Sequence, residues 1–156
     1  MGYPKASNNS GFADLILAAL LLLVLLPAFS GGIEAAVLFV DISNHSGTQN
    51  GSSWAAAYTS IQDAVDAASA GDEVWVAGGT YTGTGDLVLQ MAEGVALYGG
   101  FSGTEALRTQ RNWVANPTSL DGELERRVLA GAAASRLDGF TVTRGGNQLD
   151  GGGMHI

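Results

Sequence analysis

The chain contains no cysteine and only one lysine, Lys5, among its 156 residues. Without cysteine, neither a disulfide framework nor a thiolate metal site is available, so the fold must depend on its hydrophobic core. Without a later lysine, the rest of the chain cannot supply the lysine of a Walker phosphate-binding loop. A dinucleotide-binding loop is also missing, because Gly83 and Gly85 lack the third glycine of that motif.

Positive charge is scarce in general. The formal net charge is -8. Cleavage after Ala35 would remove Lys5, Asp14 and Glu34, leaving six arginines, 13 carboxylates and a net charge of -7. Such a surface repels nucleic acid and anionic lipid. We therefore expect no nucleic-acid partner, and membrane contact only through an N-terminal leader or a C-terminal anchor.

Long apolar runs are absent apart from residues 15–26, which are twelve apolar residues without interruption. This run suits the central region of a signal peptide and is shorter than the ~20 residues of a membrane-spanning helix. Pro27 follows, and cleavage sites are present at Ser30, Ala35 and Ala36. We predict that residues 1–35 are a signal peptide and that the protein is secreted or displayed on a bacterial cell surface. An uncleaved membrane anchor is the alternative.

Glycine, in contrast, is abundant, and 23 glycines indicate many turns rather than long helices. Residues 71–81 (GDEVWVAGGTY) are typical of a strand bounded by turns. Similar apolar runs that end in glycine recur at residues 95–101, 119–122 and 137–145. Their apolar anchors are 21, 23 and 22 residues apart, at Val76, Leu97, Leu120 and Val142. A period of this length predicts a solenoid, whose repeats bury their apolar faces by stacking on each other.

Only one segment has the periodicity of an amphipathic helix. Ser60 is the expected N-cap and Gly71 the expected end of the helix. Ile61, Ala64, Val65 and Ala68 fall on one face. Because so short a helix is marginal alone in water, we expect this face to cover the open end of the stacked repeats.

The remaining pattern consists of short strands, turns and one excursion. Residues 37–41, 87–89 and 127–129 are predicted strands, and Met154 and Ile156 begin a further one. Residues 44–53 and 80–86 are predicted turn regions. Residues 102–113 interrupt the strand rhythm, and we expect at most one helical turn there.

Several motifs in order carry a resemblance to a known family. Residues 50–59 (NGSSWAAAYT), 61–68 (IQDAVDAA) and 71–81 are similar to the N-terminal cap of secreted bacterial proteins with a right-handed parallel β-helix. Residues 95–105, 116–118, 137–143 and the GGGM at 151–154 continue the similarity. The family is pectin-lyase-like in shape, and it includes polymorphic outer-membrane proteins and surface proteins with C-terminal anchors.

The resemblance implies an all-β fold and a division of the chain. Residues 36–71 would form the N-terminal cap and residues 72–156 the first coils of a longer β-helix. The implied function is that of an exported surface or outer-membrane protein for adhesion, display or structural support, with a polysaccharide or another cell surface as partner. The alternative is a polysaccharide lyase or glycoside hydrolase whose catalytic residues lie beyond Ile156.

The chain offers few candidates for chemistry. A glycosidase needs converging carboxylates, but Asp121, Asp138 and Asp150 each precede a glycine, which favours turns. Arg136 and Arg144 are the best-placed candidates for the base of a lyase. We interpret both as solvated residues, because no acidic cluster for calcium accompanies them. His45 and His155 are too far apart in the sequence to indicate a triad.

Metal and sugar sites are the remaining possibilities. Residues 41–52 do not fit a calcium-binding EF-hand, and residues 145–150 do not fit a calcium-binding glycine-rich repeat. Trp54 and Trp75 are predicted to pack inside the fold, whereas Trp113 is open to either packing or sugar stacking. The sequence therefore predicts no catalytic, cofactor-binding or metal-binding residue.

Overall fold

A computed structural model describes residues 1–2, 35–146 and 154–155 of the chain. Most of the predicted signal peptide, with its cleavage position at Ser30, and also Asp150, lie outside the described residues. Within the described ranges, no helix is both long enough and apolar enough to cross a membrane.

Residues 35–146 and 154–155 are predominantly β, with one α-helix. The helix α1 is Ile61–Ala67, and two short 3₁₀ helices are Trp54–Ala56 and Arg108–Gln110. The strands are β1 Val37–Val40, β2 Glu73–Ala77, β3 Gly79–Thr82, β4 Leu87–Gln90, β5 Ala96–Phe101, β6 Thr118–Asp121, β7 Arg127–Ala130, β8 Arg136–Asp138, β9 Phe140–Thr143 and β10 Met154–His155.

The strands form three parallel sheets. Sheet A has the order β1-β2-β5-β8, sheet B the order β3-β6-β9 and sheet C the order β4-β7-β10. Every strand pairing is parallel. From β2 onward the chain enters sheets A, B and C in turn, and it repeats this order with β5, β6, β7 and again with β8, β9, β10.

The strand register confirms the predicted period but not the predicted column of anchors. Val74 pairs with Leu97, 23 residues later, and Leu120 pairs with Val142, 22 residues later. Leu97 and Leu120, however, lie in sheets A and B of the same passage through the sheets. The prediction that they stack was wrong, because the excursion between β5 and β6 lengthens that connection to about one full period.

Glycines divide two segments that the sequence pattern treats as single strands. Residues 137–145 bend at Gly139, which has a φ of +79° and separates β8 from β9. A Cβ on Gly139 would lie 2.8 Å from the carbonyl oxygen of Gly99. Gly78 similarly separates β2 from β3, so the predicted turn region at residues 80–86 begins as a strand. The chain can therefore change sheets within one residue.

Helix α1 begins as predicted but ends early. The Ser60 hydroxyl accepts a hydrogen bond from the Asp63 N–H at 3.3 Å. The helix ends at Ala67, and the N–H of Ala68 closes the last turn on the Ala64 carbonyl. The predicted end at Gly71 was wrong: its φ of +100° serves instead the turn before β2.

One core lies inside the three sheets and under the helix. It contains Ile61, Ala64 and Val65 of the helix together with inward residues of the strands. At the edge of sheet C, the Gln62 side chain accepts from the Gln90 N–H at 2.9 Å and donates to its carbonyl at 3.2 Å. Main-chain bonds from residues 51–58 cover the edge of β1. The helix therefore covers one strand edge as expected, whereas a loop covers another.

Candidate functional site

The outer face of sheet A carries a second row of large side chains. Strand alternation directs Val74 and Val76 into the core and Trp75 to the other face. The parallel register then places Phe39, Trp75, Tyr98 and Asp138 in one column across the four strands. The face therefore begins as an aromatic ladder and ends on a carboxylate.

The aromatic part of this face is closely packed. Trp75 stacks on Phe101 with ring centroids 4.8 Å apart, and Trp54 contacts Phe39 edge-on at 4.8 Å. Trp75 is only 6% exposed. The prediction that Trp54 and Trp75 pack inside the fold is confirmed. Each aromatic pair contributes about 0.5–1.5 kcal/mol beyond its buried area.

The excursion, residues 102–117, lies over part of this face. The Trp54 indole N–H donates to the Glu105 carbonyl oxygen at 2.9 Å. Burial acts to raise the pKa of the Glu105 carboxyl, but N–H groups that include those of Ser102 and Thr104 hold it below its usual range. The Glu105 carboxylate thus stays ionised and fixes the first turn of the excursion.

Three arginines surround Tyr98 at the lower end of the ladder. The guanidinium carbons of Arg108, Arg111 and Arg136 lie 4.5, 5.1 and 5.6 Å from the Tyr98 ring centroid. These distances are in the range of cation–π attraction. We call Tyr98 with these three residues the arginine cluster.

Two carboxylates hold the arginine cluster in place. Arg108 pairs with Glu73, whereas Arg111 and Arg136 both donate to Asp138 at 2.7 Å. The hydrogen bond from Arg136, followed by that from Arg111, lowers the pKa of the Asp138 carboxyl. The excursion is therefore clipped onto sheet A by ionic contacts, and the cluster keeps one more positive than negative charge.

Beside the cluster is an open pocket of about 220 Å³, lined by Arg108, Thr109, Arg111 and Trp113. Trp113 is 55% exposed, and the Arg111 guanidinium lies 5.3 Å from its ring centroid. Trp113, which the sequence left open, thus lies at the surface rather than in a core.

The arrangement is suited to binding rather than bond cleavage. General acid–base catalysis needs a group that exchanges protons near neutral pH, but arginine stays protonated and both cluster carboxylates are ion-paired. Burial raises the pKa of the Tyr81 phenol, whose hydroxyl donates to the Ala77 carbonyl oxygen at 3.1 Å. In the described part of the chain, no group of three His, Cys, Asp or Glu residues is placed to hold a metal ion.

The candidates from the sequence are dispersed over the surface. Arg136 belongs to the arginine cluster, whereas Arg144 makes a two-nitrogen ion pair with Asp121 on sheet B. Asp121 and Asp138 do precede turns, as predicted, but both carboxylates also bind arginine. The interpretation of Arg136 and Arg144 as merely solvated was therefore incomplete. His45 is exposed in its loop, away from both pairs.

Sequence reasoning missed Tyr98, Arg108 and Arg111. Arg108, Arg111 and Trp113 stand close together in one excursion, which is unusual in a chain with so few cations. A period of 23 residues applied to Trp75 would also have placed Tyr98 beside it. The two signals together could have indicated the cluster.

No family model, curated protein or solved structure was found to match this chain. The conclusions on fold and site therefore depend on the strand pairing and side-chain geometry of the chain itself.

Proposed function

We propose that residues 36–156 form the capped N-terminal part of a right-handed parallel β-helix in an exported cell-surface protein. Support comes from the repeated passage of the chain through sheets A, B and C with parallel pairing at each return. Parallel strands joined by crossover connections are right-handed in about 98% of cases. Residues 36–71 act as the cap, because they cover strand edges that would otherwise pair with other chains.

The role we propose for this protein is attachment or display. The observation that carries this proposal is the clipped excursion, which presents Trp113 and Arg108 on a rigid outer face. Loops held on a rigid scaffold are common sites of recognition. The fold alone is compatible with many functions. The engaged carboxylates favour binding over the alternative role as a polysaccharide lyase or glycoside hydrolase.

Export is tested by fractionating bacteria that express the full chain with a C-terminal tag. We expect the tagged protein in the envelope or medium, with a mature N-terminus between Gly31 and Val37 by mass spectrometry. The matched control is Leu22→Arg, which places a charge in the apolar run and should block export. Cytoplasmic protein that retains Met1 would overturn the proposal.

A further inference from the structure

We propose that the pocket beside the arginine cluster binds an acidic sugar unit, a pyranose with a carboxylate or sulfate group, within a surface glycan. This inference deepens the proposed attachment role and rests on it for its biological setting. Its physical basis is the pocket lined by Arg108, Thr109, Arg111 and Trp113.

The first argument is the hydrogen-bonding capacity of the pocket. Among the described residues, Arg108 donates only to Glu73, and only from Nη1. Its Nε and Nη2 groups therefore keep donors for a ligand. Because guanidinium has several donors in one plane, it can bind a carboxylate or sulfate with two parallel hydrogen bonds. The Thr109 hydroxyl, which has no hydrogen bond to a described residue, can bind a sugar hydroxyl.

The second argument is the shape and apolarity of the pocket wall. The Trp113 indole is 55% exposed although tryptophan usually buries most of its surface. A flat, exposed aromatic ring beside polar donors suits the apolar face of a pyranose. The volume of about 220 Å³ is in proportion to a single sugar ring rather than a long segment of polymer.

The third argument is that the pocket is already organised. Arg111 contacts the Trp113 ring and donates to the carbonyls of Gly99 and Asp138 as well as to the Asp138 carboxylate. These bonds fix the floor of the pocket before any ligand arrives, which reduces the entropy lost on binding. Arg108 is left as the adjustable contact, since its side chain is 45% exposed.

Overall charge does not prevent this binding. The net charge after leader removal opposes a polyanion at long range, but the Debye length is about 8 Å at physiological ionic strength. Within that distance, the arginine cluster has three arginines against Glu73 and Asp138. We therefore expect weak, salt-sensitive binding whose strength depends on the local excess of one positive charge.

The test measures binding of the purified chain to three probes by isothermal titration calorimetry. Hyaluronan oligosaccharides carry carboxylates only, dextran sulfate carries sulfates only, and dextran is neutral. We expect binding to one or both acidic probes and none to dextran. The comparison of hyaluronan with dextran sulfate identifies the acidic group.

Variants then locate the binding site. Arg108→Gln should weaken binding about tenfold or more, because it removes a charged hydrogen-bond donor. Arg127→Gln removes the same charge from β7, outside the pocket, and should leave the affinity within about twofold. Trp113→Ala should also weaken binding, and Trp113→Phe should restore part of it. Thermal melting of each variant establishes that it is folded.

Several results would overturn the inference. They are equal losses in the Arg108 and Arg127 variants, equal binding of neutral dextran, no binding of either acidic probe, and full competition by polyglutamate, which would indicate an acidic protein partner instead. Because binding is measured on purified protein, its failure leaves the export experiment unaffected. Cytoplasmic retention of a chain that binds would overturn the proposed function alone.

Discussion

At the scale of single residues, Trp75 and Val76 are neighbours in the sequence but lie in different hydrophobic clusters. Strand alternation explains the separation, because successive side chains point to opposite faces of a sheet. The inner face of sheet A contributes to the main core, and the outer face forms the aromatic ladder. Val74-Trp75-Val76 is thus apolar throughout because both faces of β2 are covered.

The roles of Asp121 and Arg144 could not be predicted from the sequence. The Asp-Gly pattern correctly predicts the turn after Asp121. It contains no sign of an arginine 23 residues later, whose Nε lies 2.8 Å from the carboxylate. That contact depends on the register between β6 and β9, in which Asp121 pairs with Thr143.

This ion pair predicts a specific pH dependence of stability. The Arg144 hydrogen bond, with help from the Glu123 N–H, lowers the pKa of Asp121 below its ordinary 3.8. A carboxyl with a lowered pKa in the folded state stabilises the fold fully above its unfolded pKa, and this contribution is lost as pH falls through the folded pKa. Asp121→Asn should therefore be less stable than the parent at pH 7, and the gap should shrink below pH 3.8.

Denaturant unfolding between pH 7 and pH 2 measures that gap in the free energy of unfolding. Arg144→Gln serves as the second variant, since it keeps the carboxylate but removes its partner. It should flatten the pH dependence in the same way. A gap that stays constant across this pH range would contradict the assigned role of the pair.

At the scale of elements, the helix, the strands and the excursion were predictable to different degrees. Ser60 and the apolar face of Ile61, Ala64 and Val65 were sufficient for α1, because helix capping and periodicity are local properties. Strand positions were similarly local. The partners of each strand were not, since pairing depends on how many residues the excursion inserts. Leu97 and Leu120 show the resulting error most clearly.

The contact between the helix and the core gives an element-scale prediction. Val65 is 2% exposed, whereas its neighbour Asp66 is exposed and contacts the Gln62 amide at 2.8 Å. Val65→Asp should lose about 1.5–3 kcal/mol of hydrophobic stabilisation, with a further cost for burying a carboxylate. Asp66→Ala should change stability by at most about 0.5 kcal/mol, the value of one exposed pair on a helix.

Thermal melting of the two variants beside the parent is the measurement. Because the substituted positions are adjacent, differences in expression or handling are well matched. Equal melting temperatures would mean that α1 does not pack on the sheets through Val65.

At the scale of the whole molecule, the three sheets share one core while the binding chemistry lies outside it. Val74, Leu97, Leu89 and Leu120 join the sheets from within. The arginine cluster requires only sheet A and the excursion. The fold can therefore be constant while the excursion determines what is bound, which is common for loops on rigid scaffolds. The sequence predicted the scaffold through its period, but the cluster needed the three-dimensional register.

The pairing order also predicts how stability is distributed over the molecule. Among the described strands, β5, β6 and β7 have neighbours on both sides, whereas β8 and β9 have one neighbour each. Amides in strands with two neighbours open only with extensive unfolding, but amides at an edge open locally. Hydrogen exchange followed by mass spectrometry should therefore be slowest in β5, β6 and β7, faster in β8 and β9, and fastest in the exposed residues 45–50. The loop is the internal control for intrinsic exchange. Exchange in β8 and β9 as slow as in β5 and β6 would contradict the assigned strand order, because it would require a second partner along their other edges.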